Sequence, residues 1–130
     1  WYDKVKEQFE AAGTTNISYL LKNADGEPSE TPYVKAIEAF ENNSLHLVIV
    51  DGKHRDLLAN AAVDKLSAGG ILVVDDSQRY LAHQTYAPYA IKENASKMTA
   101  AWRSFQDKVD AWEMVWTSNG VSDTAIFIKP

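Results

Sequence analysis

The stretch that decides the fold is LHLVIVDG, residues 45–52. Its first six residues are nearly all apolar, and three of them are β-branched. Such a run is typical of a strand that is buried on both faces of a parallel sheet. The sequence therefore predicts a buried strand over residues 45–50, and the Asp-Gly pair after it marks the turn that leaves the sheet.

A helix and a second strand follow this turn. The helix is indicated by four apolar residues that share one helical face: Leu58, Ala61, Ala62 and Leu66. Gly69 and Gly70 are predicted to form the turn that follows the helix, and residues 71–74 are predicted to form the next strand. Strands that alternate with helices of this length indicate an α/β fold with a parallel sheet and right-handed crossovers.

The segment before residue 45 is predicted to contribute two helices and a strand. An apolar stripe at helical spacing opens the chain and ends at Gly13. Residues 17–21 form a short apolar run that predicts a strand, and the polar residues 23–28 predict a loop. Thr31 and Pro32 are predicted to begin a second helix that reaches Phe40.

The segment after residue 76 is predicted to hold a loop, a helix and an antiparallel hairpin. Residues 77–94 are rich in Tyr and Ala without a clear period, which favours a loop or lid. Residues 98–109 return to helical spacing, and residues 112–117 alternate as a strand does. Ser-Asn-Gly at 118–120 predicts a turn before a final strand over residues 124–128.

Size and charge exclude several classes of protein. A chain of 130 residues with 45% hydrophobic and 24% charged residues is typical of one ordinary globular domain. The 13 Lys and Arg against 18 Asp and Glu give a net charge of -5, which argues against nucleic acid as a partner. The longest apolar run is far shorter than the roughly 20 residues that cross a bilayer, which argues against a membrane role. The absence of cysteine is consistent with a cytoplasmic protein.

Residues 47–55 and 66–76 resemble the fourth and fifth strands of a class I S-adenosylmethionine-dependent methyltransferase. In that family, the fourth strand is typically an apolar run that ends in Asp-Gly. A helix and a Pro-Gly-Gly-like turn follow it, and the fifth strand ends in one or two aspartates. Ala68 stands here in place of the usual proline. Residues 116–130 are similar to the closing sixth and seventh strands, and the opening helix with residues 17–21 resembles the second crossover helix and third strand.

The resemblance implies a truncated doubly wound, Rossmann-like sheet that is mostly parallel and closes with an antiparallel hairpin. It also implies S-adenosylmethionine as cofactor and a small hydroxylated substrate for O-methyl transfer. The family's glycine-rich turn after the first strand is missing, and so is the acidic residue after the second. We therefore expect a single domain over residues 1–130, a fragment without the first two strands, and incomplete activity for these residues alone. The alternative is a non-catalytic binding or assembly module.

A homodimer is expected from the same comparison. The first two strands separate the third and fourth in the complete family fold, so their absence would leave a gap in the sheet. An exposed apolar edge strand favours association with a second copy. Pairing of residues 17–21 directly with the central strand is the other way to fill the gap.

Three carboxylates are candidates for a metal site: Asp51, Asp75 and Asp76. They follow two adjacent parallel strands, at the edge where open α/β sheets place their ligand sites. Oxygen ligands suit Mg²⁺, and these positions match the metal aspartates of macrocin-type O-methyltransferases. The alternative is that these aspartates only cap the loop and the helix that follow their strands.

Asp51 and His54 are the candidate catalytic residues, with the His54 imidazole as general base for a hydroxyl substrate.

The resemblance makes Asp25 a candidate contact to the adenine of the cofactor, although an aspartate in a turn explains it equally well. Tyr80, Tyr86 and Tyr89 are candidates for an aromatic lid over a substrate pocket. A solvent-exposed role for His54 and a core role for Trp102 are the competing interpretations.

Overall fold

A computed structural model describes residues 1–130 as an α/β domain with one four-stranded sheet. The α-helices are α1 (Tyr2–Ala11), α2 (Pro32–Lys35), α3 (Arg55–Lys65) and α4 (Ala100–Val109). The strands are β1 (Leu45–Val50), β2 (Leu66–Asp75), β3 (Glu113–Ser118) and β4 (Asp123–Ile128). Short 3₁₀ helices cover Pro28–Glu30, Ala36–Ala39, Ser77–Arg79 and Ala95–Lys97.

The sheet is open and mixed, with strand order β1-β2-β4-β3. The β1 and β2 strands are parallel and are joined by α3, which confirms the predicted strand-helix-strand unit. The closing hairpin is also confirmed, because β3 and β4 pair antiparallel. Since the last strand pairs antiparallel with β2 as well, two of the three pairings are antiparallel, and the expectation of a mostly parallel sheet is wrong for these residues.

The core lies on one face of the sheet, under α3 and α4. Ala59, Ala62 and Val63 of α3 are buried against alternate residues of β2, and Phe105 of α4 is fully buried. Phe105 meets Phe127 of β4 edge to face at 5.3 Å between ring centroids. Burial of such aromatic pairs supplies a large part of the stability of a small domain.

The opposite face of the sheet is exposed. Leu47 and Ile49 of β1 are 54% and 62% exposed, and Ile71 and Val115 expose 37% and 45% of their surface on the same side. The prediction that residues 45–50 are buried on both faces is therefore wrong. The predicted strand itself is confirmed, but Val50 is its one buried residue.

The segment before β1 departs most from the sequence prediction. Residues 17–21 form no strand, because no neighbouring strand accepts their backbone hydrogen bonds. Tyr19 instead stacks on Tyr2 of α1 at 4.8 Å between ring centroids. Thr31 does cap the next helix, accepting a hydrogen bond from the Val34 amide at 3.2 Å, but α2 has four residues before the backbone tightens to 3₁₀.

The Gly69-Gly70 turn lies inside a strand. The chain leaves α3 and joins the sheet directly at Leu66, which pairs with Leu45. The next residue pair is Leu47 with Ile71, so β2 contains more residues than β1 between the two pairs. The extra residues form an irregular bulge in which Gly69 has a φ of +74°. Gly70 cannot carry a side chain, since a Cβ there would lie 2.8 Å from the Ser67 carbonyl oxygen.

Candidate functional site

Asp51, Asp75 and Asp76 lie together at the carboxyl edge of β1 and β2. Asp51 directly follows β1, Asp75 is the last residue of β2, and Asp76 follows it. Asp76 adopts a left-handed backbone with φ of 53°, which turns the chain sharply at the end of the strand. The parallel pairing of β1 and β2 thus places the carboxylates at one edge, as the sequence predicted.

Arg55 is the residue on which these carboxylates converge. Its Nη2 lies 3.0 Å from Asp51 Oδ1, and its Nη1 lies 3.6 Å from Asp75 Oδ2 and 3.5 Å from Asp76 Oδ2. The guanidinium also donates to two backbone carbonyls, from Nε to Gly52 at 2.9 Å and from Nη1 to Asp75 at 2.5 Å. It therefore ties the ends of the two strands together.

The carboxylates are not equivalent electrostatically. Burial, a hydrogen bond shared with Asp75 and the charge of Asp75 raise the pKa of Asp51, and Arg55 opposes this rise. The Asp51 side chain is 60% exposed, so water damps all of these effects. Burial pushes the pKa of Asp76 upward, but the Ser122 hydroxyl and Arg79 outweigh it and hold that pKa below its usual value.

A second ring of partners comes from the hairpin and was not predicted. Ser122 donates its hydroxyl to Asp76 Oδ1 at 2.9 Å, and Thr124 donates to Asp75 Oδ1 at 3.0 Å. Both residues reach the site because β4 lies next to β2. Sequence patterns indicated the hairpin, but not which of its strands pairs with β2.

The cluster does not accommodate Mg²⁺ as its side chains stand. Magnesium needs near-octahedral oxygen ligands at 2.0–2.1 Å, and the point on which the three carboxylates converge is filled by the Arg55 guanidinium. No group of three or more acidic, histidine or cysteine side chains is arranged to hold a metal ion. The chemistry of the donors is suitable for Mg²⁺, and the obstacle is the resident cation.

His54 lies beside this cluster, in a left-handed conformation with φ of 51° just before α3. Its Nε2 is 3.1 Å from the carbonyl oxygen of Ala24. Because a carbonyl can only accept, Nε2 carries a hydrogen in this contact, and Nδ1 of a neutral ring is left with its lone pair. His54 is half-buried and connects the site to the segment before β1, so the alternative of a fully solvent-exposed side chain does not describe it.

Asp25 lies on an open cavity of about 580 Å³. The cavity is lined by seven residues: Leu21, Lys22, Asn23, Ala24, Asp25, Tyr33 and Lys53. Asp25 is 81% exposed on its side chain and faces Lys53 at 3.6 Å. Tyr33 closes one side, with its hydroxyl so near Gly52 that a Cβ there would lie 2.0 Å from it.

A second open cavity of about 300 Å³ lies at the start of α3 and α4. Its lining combines His54 and Arg55 with Asp56, Thr99 and the stacked pair Tyr80 and Trp102, whose ring centroids are 5.1 Å apart. His54 thus borders this cavity while its Nε2 contacts the lining of the first cavity.

The tyrosines of the predicted lid differ from one another. Trp102 is buried, which confirms its core role, and Tyr80 packs against it. Tyr86 and Tyr89 are 96% and 82% exposed, and Arg79 lies over the Tyr89 ring at 5.5 Å. Of the three tyrosines of the predicted lid, Tyr80 alone lines one of the two cavities.

Asp123 anchors the loop over residues 77–94 and was missed by the sequence analysis. It is fully buried and accepts hydrogen bonds from Thr85 Oγ1 and from Trp116 Nε1, the latter at 3.0 Å. Its amide donates to Gln78 Oε1 at 2.9 Å. His83 stacks on Trp116 with ring centroids 4.1 Å apart. A single aspartate at the start of a strand forms no recognisable motif, so this anchoring role could not be predicted from the sequence.

A scan with models of known protein families gives no match for the chain, and a search of curated proteins gives none either. None of the helices has the length and apolar character needed to cross a membrane.

Proposed function

We propose that this chain is an S-adenosylmethionine-dependent methyltransferase-like domain, derived from an O-methyltransferase of small hydroxylated molecules. The observation that carries the proposal is the clustering of Asp51, Asp75 and Asp76 at the carboxyl edge of two parallel strands. His54 follows Asp51 by three residues and borders an open cavity. Ligands of open α/β sheets bind at this edge. A cytoplasmic location is part of the same proposal.

The cavity beside Asp25 is the proposed place of the cofactor's adenosyl group. Leu21, Ala24 and Tyr33 offer apolar and aromatic contact, and Asp25 offers an acceptor to the adenine amino group. The cofactor supplies an electrophilic methyl group when it is bound. Because the chain has no glycine-rich turn to hold the rest of the cofactor, we expect binding weaker than micromolar.

His54 is the proposed general base. The hydrogen bond to the Ala24 carbonyl keeps the ring proton on Nε2, which leaves Nδ1 without a proton. Nδ1 then accepts the proton of a substrate hydroxyl in the cavity lined by Tyr80 and Trp102. Asp51 is proposed to orient that hydroxyl. A role for Mg²⁺ through Asp51, Asp75 and Asp76 would require the Arg55 guanidinium to leave its position.

The test is calorimetric titration of S-adenosylmethionine and S-adenosylhomocysteine into the chain, with and without Mg²⁺. We expect weak heats for both ligands that are lost in Asp25→Asn and kept in Asp107→Asn, a matched control on the exposed side of α4. Absence of heat at millimolar ligand, or equal binding by Asp25→Asn, would contradict the proposed cofactor site.

The second candidate function is a non-catalytic assembly module. It is favoured by the exposed apolar face of the sheet and by its unpaired edge strand β1. Leu47 and Ile49 are exposed on β1, and β1 pairs with a strand on one side only. No charged residue or proline protects this edge strand, which is unusual for a monomer. A second copy would cover the edge and complete the sheet as a homodimer.

This candidate is tested by light scattering of the wild-type chain and two lysine variants. It predicts a dimer for the wild type, a monomer for Ile49→Lys, and a dimer for Val121→Lys, whose side chain is 69% exposed in the turn between β3 and β4. A monomeric wild-type chain across the concentration range would remove the assembly module from consideration.

A further inference from the structure

We infer that Arg55 is the built-in cation of the carboxylate cluster and that its guanidinium excludes divalent ions from Asp51, Asp75 and Asp76. The inference goes beyond the proposed function, because it holds whether or not the chain transfers a methyl group. It concerns a residue whose side chain is only 15% exposed and touches all three carboxylates.

The guanidinium is fixed by its backbone contacts as well as by charge. Hydrogen bonds to the carbonyl oxygens of Gly52 and Asp75 hold Nε and Nη1 at the ends of β1 and β2. Nη2 is left for Asp51 at 3.0 Å. The planar fork of arginine has donors for all these contacts at once, which the single ammonium of lysine cannot match.

The place of Arg55 in the chain supports the same conclusion. It is the first residue of α3, where the helix dipole disfavours a positive charge. The three carboxylates offset this unfavourable interaction with the helix dipole. Asp51 lies four residues before Arg55, and Asp75 and Asp76 lie at the end of the neighbouring strand β2. The left-handed residue His54 turns the chain between Asp51 and the helix.

A divalent ion and this guanidinium are mutually exclusive. Magnesium bound to the three carboxylates would draw their oxygens to within 2.0–2.1 Å of one centre. The Arg55 nitrogens already lie 3.0–3.6 Å from those oxygens, so an ion among them would sit against a positive charge. Removing the guanidinium is therefore expected to create a divalent-ion site, not merely to disturb the fold.

The experiment is an NMR titration with Mn²⁺, whose paramagnetism broadens the signals of nearby backbone amides. For the wild-type chain we expect no selective broadening at Asp51, Asp75 and Asp76. For Arg55→Gln we expect selective broadening there, with affinity increased at least about tenfold because a unit charge next to the ion is removed. Arg55→Lys, which keeps the charge but loses the planar fork, is expected to show less broadening than Arg55→Gln.

Two further variants make the result specific. Asp75→Asn added to Arg55→Gln should abolish the gained binding, whereas Asp107→Asn added to Arg55→Gln should leave it intact. Selective broadening of the wild type at the concentrations that broaden Arg55→Gln would overturn the inference, and so would a folded Arg55→Gln chain that gains nothing. If Arg55→Gln does not fold by circular dichroism, the wild-type titration still decides: broadening at the three aspartates overturns the inference, and its absence supports it.

Discussion

Replacement of Asp123 tests how the loop over residues 77–94 is held against the sheet. Asp123 is fully buried, and its Oδ2 accepts from both Thr85 and Trp116. Hydrogen bonds to a charged group contribute roughly 1.5–3 kcal/mol each. Burial of the carboxylate, whose Oδ1 has no hydrogen-bond partner, offsets part of this gain.

From these terms we expect Asp123→Ala to lower the free energy of unfolding by about 2–4 kcal/mol. Asp123→Asn keeps the shape and one acceptor oxygen but loses the charge and replaces the other oxygen with an NH2 donor, so we expect a loss of about 1–2 kcal/mol. Urea unfolding followed by tryptophan fluorescence measures both values. Hydrogen exchange should show faster opening of the loop in Asp123→Ala, and Asp107→Ala serves as the exposed control.

The pH dependence gives an independent check on the same residue. Burial acts to raise the pKa of Asp123, but groups on Ser118, Thr85 and Trp116 and the charge of His83 outweigh it, so the pKa lies below its usual value of 3.8. A carboxyl with a lowered pKa stabilises the fold above the pKa of the unfolded chain, and this contribution is lost as the pH falls through the folded pKa.

The difference between the wild type and Asp123→Asn should therefore be full at neutral pH and shrink below about pH 4. Equal stability of the wild type and Asp123→Ala at pH 7, or a difference that grows on acidification, would refute this account of the anchor.

Two further predictions concern the carboxyl edge of β1. Gly52→Ala would place a Cβ 2.0 Å from the Tyr33 hydroxyl, so Tyr33 must move, and S-adenosylhomocysteine binding at the Asp25 cavity should weaken. Calorimetry on a variant shown to be folded measures this affinity, and an unchanged affinity would exclude a role for Tyr33. The raised pKa of Asp51, due to burial and Asp75, means that ionisation of Asp51 opposes folding as the pH rises through its folded pKa. Asp51→Asn should then gain stability relative to the wild type between pH 4 and pH 7 in urea unfolding, and an unchanged or reversed difference would contradict the assignment.

The strands of the sheet were largely predictable because apolar runs report local structure directly. The β-branched, apolar composition of residues 45–50 and 71–74 predicts strands, and both segments lie in strands of the sheet. Residues 17–21 have a similar composition but form no strand. A strand exists only when a neighbour accepts its hydrogen bonds, and the sequence of a segment does not state whether that neighbour is present.

The common edge of the acidic residues was predictable from the sequence, and positive charge from Arg55 was expected at the same edge, but its contacts with all three carboxylates were not. Asp51, Asp75 and Asp76 follow parallel strands, so their common edge follows from the topology alone. The place of Arg55 depends on the left-handed turn at His54. Histidine adopts this conformation more often than most residues, but most histidines do not, so the turn is not predictable from the residue type. The contacts of the hairpin depend on β4 and not β3 lying next to β2, a choice made by tertiary packing.

The proposed cofactor site lies at the carboxyl edge of β1, beside Asp25. The most direct test is an NMR titration of the ¹⁵N-labelled chain with S-adenosylhomocysteine, read residue by residue. The account predicts shifts confined to residues 21–25, Tyr33, Gly52 and Lys53, which line or adjoin the cavity beside Asp25. Shifts confined to another surface, or none at millimolar ligand with the fold intact, would contradict it.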